Sequence, residues 1–171
     1  IFSDTSDYLR FLQLLYIAND TKPVKFSNIK LPNIFLSERK DTLVNIICYC
    51  LMPNHFHMCV QETQEAGISR FLQKLSTAYT MYYNKKYEHS GTIFQGEYKS
   101  KHVEDENYLR YLIQYIHLNP FGIEEPDMNR LAKSAYYEEA VAYSKNYDFS
   151  SYKDYLDGSE ARSQLAILSK A

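Results

Sequence analysis

Met52-Pro53-Asn54-His55-Phe56-His57-Met58-Cys59-Val60 is the stretch on which the reading of the fold turns. At its centre stands a His-x-His pair. Alternate residues of a strand share a face, so His55 and His57 present two imidazoles side by side, while Phe56 and Met58 turn to the opposite side. Two imidazoles so placed can hold a divalent cation, hold a phosphate oxygen, or sit as polar residues on a half-wet sheet face. The spacing does not choose between these, because His-x-His is short and common. Pro53-Asn54 marks a turn or bulge, which puts the histidines at the start of their strand.

Outward from this stretch, Leu43 to Leu51 is rich in β-branched and aromatic residues and reads as a strand, with His55 to Glu62 as its antiparallel partner. Asp7 to Ala18 reads as a helix with Tyr8, Phe11, Leu12 and Leu15 on one stripe. Asn19 to Lys40, with Pro23 and Pro32, reads as a long connection holding a short helical turn. Ala66 to Tyr87 is the longest periodic segment, its buried face marked by Ile68, Phe71, Leu72, Leu75, Tyr79 and Tyr82. Thr92 to Val103 alternates enough to predict an irregular strand or hairpin. Asp105 is a good N-cap for a helix running to about Leu118, and another helix is expected from about Asn129 to Tyr143. This order predicts an α+β fold: an antiparallel sheet with helices packed on its faces.

A second stretch carries chemistry. In Tyr111-Leu112-Ile113-Gln114-Tyr115-Ile116-His117-Leu118-Asn119-Pro120, Tyr115 and Asn119 stand one helical turn apart on one face. Asn119 precedes a proline, so it falls at the helix end. By itself Tyr115 is as well explained by the core, since Tyr108, Leu112, Tyr115 and Ile116 form an apolar stripe. His117 lies on the far side of the helix from Tyr115 and reads as a structural or DNA-contacting residue rather than a ligand.

The chain has 171 residues, the size of one domain able to bury a core. No apolar run approaches the roughly 20 residues that span a bilayer. Three cysteines are an odd number and too few for a disulfide framework, which fits a reducing cytoplasm. Cys48, Cys50 and Cys59 leave a zinc-stabilised structural domain open, although Cys-x-Cys lacks the usual gap of structural zinc pairs. The formal charge of −2 argues against indiscriminate duplex binding. Between Arg70 and Lys101, however, six basic residues face two acidic ones, which suits a confined nucleic-acid groove as well as a solvated helix face. The seventeen tyrosines include candidates for stacking on unpaired bases.

Three segments together resemble a known family. Met52 to Val60, Gly91-Thr92-Ile93-Phe94-Gln95-Gly96-Glu97-Tyr98-Lys99-Ser100, and Tyr115 to Pro120 look like the motifs of single-tyrosine transposases of the HUH endonuclease class. The branch resembled is the one associated with repetitive extragenic palindromes in bacterial genomes. The resemblance covers about residues 1–122 of a single domain spanning 1–171, with 123–171 as a C-terminal helical extension. It implies a ferredoxin-like antiparallel sheet that begins with one more strand, ahead of Ile1. It also implies single-stranded DNA cleavage and strand transfer, in which His55, His57 and Asn119 match the ligands of Mg²⁺ or Mn²⁺ and Tyr115 matches the nucleophile. The partner implied is single-stranded DNA with hairpin or palindromic ends, bound by a monomer or homodimer. Arg70, Lys74, Lys99 and Lys101 are candidates for phosphate contacts and Gln95 for a base contact. Tyr108 and Tyr111 are rival nucleophiles, and a domesticated, non-catalytic hairpin-binding protein is the alternative function.

Overall fold

The computed structural model describes residues 1–23, 34–124, 134–156 and 163–169. Strands β1 (Val44–Met52) and β2 (His55–Glu62) form an antiparallel hairpin in which Met52 pairs with His55 across the Pro53-Asn54 turn. The register sets Cys50 opposite His57 and Cys48 opposite Cys59, and a bulge lies between Ile46 and Cys48. That extra residue resets the alternation. Ile46, Tyr49 and Leu51 pack into one core, while Cys48, Cys50 and Met52 pack into another on the other face.

Helices α1 (Thr5–Ala18) and α2 (Gly67–Tyr87) cover the first face. A capping box starts α1: the Asp4 carboxylate accepts from the Asp7 N–H, and Asp7 accepts from the Asp4 N–H. Phe11 of α1 meets Phe56 of β2 and Tyr79 of α2, each at 5.0 Å between ring centroids. Gly67 opens α2 hard against β1, where a Cβ would stand 2.2 Å from the Leu43 carbonyl oxygen. The far ends of the two helices are tied by buried Asp7, which accepts from Tyr82, Lys86 and Tyr87 of α2.

Helix α3 (Glu106–Leu118) lies on the opposite face, with Ile116 seated on the cysteine-rich layer. Its N-cap is Asp105, whose carboxylate accepts from the Tyr108 N–H at 2.8 Å. Helices α4 (Ser134–Asn146) and α5 (Tyr152–Leu156) follow. The residues joining them run along the outer edge of β1, where the Leu51 N–H donates to the Phe149 carbonyl and the Ser151 N–H to that of Tyr49.

The α+β class, with an antiparallel sheet and helices on its faces, is therefore the one expected, and among the described residues the sheet has two strands. A strand ahead of Ile1 lies outside those residues. One expectation needs correction. Thr92 to Val103 forms neither strand nor hairpin but an irregular run. Gly91 and Gly96 take positive φ (97° and 73°), and the run meets β2 through side chains, Phe94 against Phe56 at 6.1 Å between ring centroids, rather than through a backbone ladder. The last long helix is described over Ser134–Asn146, and the part of the expected helix before Ser134 lies outside the described residues. The expected turn in the first connection is a short 3-10 helix, Ile34–Leu36.

Candidate active site

β2 and α3 bring the two sequence signals into contact. His55 and His57 project from the same side of β2, and their Nε2 atoms stand 3.1 Å apart. The Asn54 side-chain oxygen lies 2.7 Å from His55 Nδ1. An amide oxygen only accepts, so Nδ1 carries the proton and His55 Nε2 keeps its lone pair. His57 Nε2–H then donates to that lone pair. Burial lowers both imidazoles below their ordinary pKa, and for His57 the neighbouring His55 adds to the effect. Both rings are thus neutral at pH 7; His55 Nε2 is free to ligate as it stands, and His57 Nε2 becomes free when its proton moves to Nδ1.

The pair fits a divalent ion. Two nitrogens each roughly 2.1 Å from one ion and near a right angle to each other stand about 3 Å apart. The observed separation of 3.1 Å matches that spacing. The Asn54 contact is the outer hydrogen bond that orients a ligating histidine. Asn119 ends α3 one turn beyond Tyr115, buried at the start of the 3-10 turn Asn119–Ile123, which packs against β1. Among the described residues no group of three or more His, Cys, Asp or Glu side chains could hold a metal. Cysteine-bound zinc accordingly has no ligand set there, and Cys48, Cys50 and Cys59 are free, buried thiols.

Tyr115 is not a core residue. It is 37% exposed, and its ring meets His57 at 73° with centroids 5.8 Å apart. The rival tyrosines lie elsewhere on α3. Tyr111 is 62% exposed, and the ring of Tyr108 lies under the Lys101 ammonium at 4.3 Å. His117 faces away, buried, with Nε2 2.9 Å from the Ser151 hydroxyl. Burial pushes its pKa down to about 4.

An open groove of about 1150 Å³ runs from the histidine pair between α2 and the irregular run 93–100. His55 and His57 line one side, Ser69, Gln73 and Ser76 of α2 another, and Gln95 and Lys99 the third. Of the candidate DNA contacts, then, Gln95 and Lys99 are in the groove, and Arg70 is exposed on α2 beside its wall. Lys101 covers Tyr108. Lys74 turns its ammonium to the carbonyls of Asp20 and Lys22, and burial lowers its pKa. Its donors hold the chain after α1 rather than facing the groove.

Sequence reading treated Asn54 only as a turn residue. Its place beside His55, with a side chain short enough to reach the adjacent imidazole, was the signal available. Ser151 was missed altogether, since nothing local links it to residues a hundred positions away.

Paired neutral imidazoles on a strand, a half-exposed tyrosine on the helix facing them and an open groove beside both make up the candidate site of this α+β protein. A family model described as "Transposase IS200 like" matches residues 24–119, more than half of the chain. The protein belongs to this transposase family, whose members are DNA-cleaving enzymes of transposition. No curated protein and no solved structure matches it. Among the described residues, no helix is long and apolar enough to cross a membrane.

Proposed function

We propose that this transposase cuts single-stranded DNA at hairpin or palindromic ends with Tyr115 as nucleophile and rejoins strands from the resulting 5′-phosphotyrosine. The observation that carries this reading is the contact between Tyr115 and His57, in one chain, at the mouth of the groove. It supports a site assembled in cis, while the branch associated with repetitive extragenic palindromes rests on the sequence motifs alone.

The Tyr115 Oη attacks the scissile phosphorus; the Oη–P bond forms, the P–O3′ bond breaks, and the proton lost by the phenol is balanced by the one gained at the 3′-oxygen. Because the tyrosyl phosphodiester keeps a reactive ester, a DNA 3′-hydroxyl reverses the step and joins strands. Mg²⁺ or Mn²⁺ held by His55, His57 and Asn119 would supply positive charge at the nonbridging oxygens. Asn54 holds His55 in the tautomer this needs. The edge of the Tyr115 ring against His57 limits where its hydroxyl can swing, which favours in-line geometry. Lys99 and Gln95 are placed to meet the backbone and a base of the strand in the groove.

The test incubates the protein with Mg²⁺ or Mn²⁺ and labelled hairpin oligonucleotides from the flanks of its own gene. A denaturing gel then separates any covalent adduct. An adduct that needs metal and falls on the order of 10³-fold or more in Tyr115→Phe is expected for loss of a nucleophile. An adduct that survives Tyr115→Phe moves the chemistry to Tyr108 or Tyr111. Tight hairpin binding with no adduct replaces this reading with the non-catalytic binder.

A further inference from the structure

Tyr115 can serve only if α3 is held at a fixed distance from the hairpin that carries the histidines. Besides the packing of Ile116 on the cysteine-rich layer, one polar contact away from the groove ties α3 to that hairpin. It lies on the other flank of α3, where His117 Nε2 is 2.9 Å from Ser151 Oγ. The same hydroxyl accepts from the Tyr49 N–H at 2.9 Å and donates to the Tyr49 carbonyl at 3.2 Å. A serine hydroxyl has one proton to give and two lone pairs, so accepting also from His117 Nε2–H uses all of them. Tyr49 is followed on β1 by Cys50, whose ladder partner on β2 is His57.

One buried oxygen thus joins the tyrosine helix to the strand beside the histidine strand. The segment that delivers it is anchored independently. Tyr147 Oη donates to the Leu51 carbonyl at 2.6 Å, Leu51 N–H donates to the Phe149 carbonyl, and Tyr155 Oη donates to the carbonyl of Ile47 in the bulge. The rings of Tyr152 and Tyr155 close over His117, each with centroids at 5.2 Å. His117, Ser151 and Ser150 are all buried.

We infer that Ser151 and His117 are positioning residues: through their hydrogen bond the C-terminal segment, outside the stretch matched by the family model, fixes the placement of Tyr115 against the histidine pair. The inference rests on the proposed role of Tyr115, but part of its test does not. A displacement on the order of 1 Å at reacting groups costs about 10²-fold in rate. Loss of this bond should cost cleavage rate while leaving DNA binding in place.

The experiment compares the wild type with Ser151→Ala, His117→Leu, His117→Gln and the control Ser150→Ala. Ser150 Oγ contacts the Tyr49 carbonyl and the Tyr152 N–H in the same segment, whereas the His117 imidazole bonds Ser151. Each protein is assayed for single-turnover adduct formation at saturating hairpin DNA, for hairpin affinity, and by NMR for the ring signals of His57, which feel the Tyr115 ring. Expected for Ser151→Ala and for His117→Leu is a rate loss of about tenfold or more, within the range misplacement can produce. Affinity should stay within about twofold, and the His57 signals should shift. Adding His117→Leu to Ser151→Ala should cost the adduct rate little beyond Ser151→Ala alone, since the bond the two residues share is already gone. His117→Gln, whose side-chain amide can still donate, should recover most of the rate. Equal losses in Ser150→Ala and Ser151→Ala, or unmoved His57 signals in Ser151→Ala, would overturn the inference and leave the segment a general support. Should the wild type form no adduct, the proposed function fails while the His57 signals still decide the inference.

Discussion

The two flanks of α3 each make a contact through a histidine, His57 of β2 on one and the helix's own His117 on the other, and they are built in opposite ways. On one flank Tyr115 is half-exposed and touches His57, which lines an open groove. On the other flank His117 is buried, hydrogen-bonded and closed over by two tyrosine rings. Burial lowers the pKa of both histidines, but it serves different ends. His57 Nε2 meets only the imidazole of His55, at the edge of an open groove where a substrate or ion can take the place of that contact. His117 has its Nε2 committed to Ser151, where a newcomer would have to break an existing bond. A helix that must present a reactive group accurately is fixed on its far side and left accessible on its near side.

The sharpest way to break the comparison is on the near flank. His57→Ala removes half of the imidazole pair and the ring that Tyr115 rests against. Adduct formation should fall on the order of 10²-fold or more, as for loss of a group that organises charge at the reacting phosphate. Hairpin affinity and the thermal midpoint should change little, because His57 borders open space. A large loss of melting temperature with intact cleavage would place His57 among structural residues instead.

On the far flank the expected signature is pH dependence of stability. The His117 imidazole has an ordinary pKa of 6.5 when unfolded and about 4 when folded. Above pH 6.5 neither state holds the proton, and burial of the neutral ring carries no proton-linked penalty. Below that pH the unfolded chain binds a proton that the folded chain refuses, so stability falls between pH 6.5 and about 4. The loss amounts to roughly 3 kcal/mol, from about 1.4 kcal/mol per unit of pKa difference. Urea unfolding at pH 7 and pH 4.5 measures it. The difference between wild type and His117→Gln isolates this histidine from the carboxylates that titrate nearby, and a difference that does not change with pH would refute the assignment.

The near flank was far more legible in the sequence than the far one. Strand alternation put His55, His57 and Cys59 on one face, and four-residue spacing put Asn119 one turn beyond Tyr115. Whether Tyr115 was core or catalyst was not legible from its stripe, since the same pattern fits both; its exposure and its contact with His57 decide that it is not core. The bulge at Ile47 left no trace, because Asn45-Ile46-Ile47-Cys48 reads as an ordinary continuous strand. Thr92 to Val103 had the alternation of a strand but no ladder partner, and alternation does not supply one. Ser151 bonds to a residue 102 positions earlier in the chain, a separation that no local period can encode.

Charge shows the same divide at smaller amplitude. Lys74 and Lys99 look alike in the sequence, two cations in a basic stretch. Lys74 spends its donors on the carbonyls of Asp20 and Lys22, joining α2 to the chain beyond α1. Lys99 is exposed and lines the groove. Each single-strand phosphate contact contributes about 0.7 to the slope of log affinity against log salt. Lys99→Ala should therefore weaken hairpin binding severalfold and flatten the slope by roughly that amount, with little effect on stability. Lys74→Ala should do the reverse: destabilise by about 1 kcal/mol, as expected for removing a charged donor from one part-buried and one exposed carbonyl, and leave the salt slope unchanged. Anisotropy titrations at several salt concentrations, paired with urea unfolding, separate the two. A flattened slope in Lys74→Ala would mean that its ammonium leaves the carbonyls when DNA arrives, and that the wall of the groove formed by α2 is remade on binding.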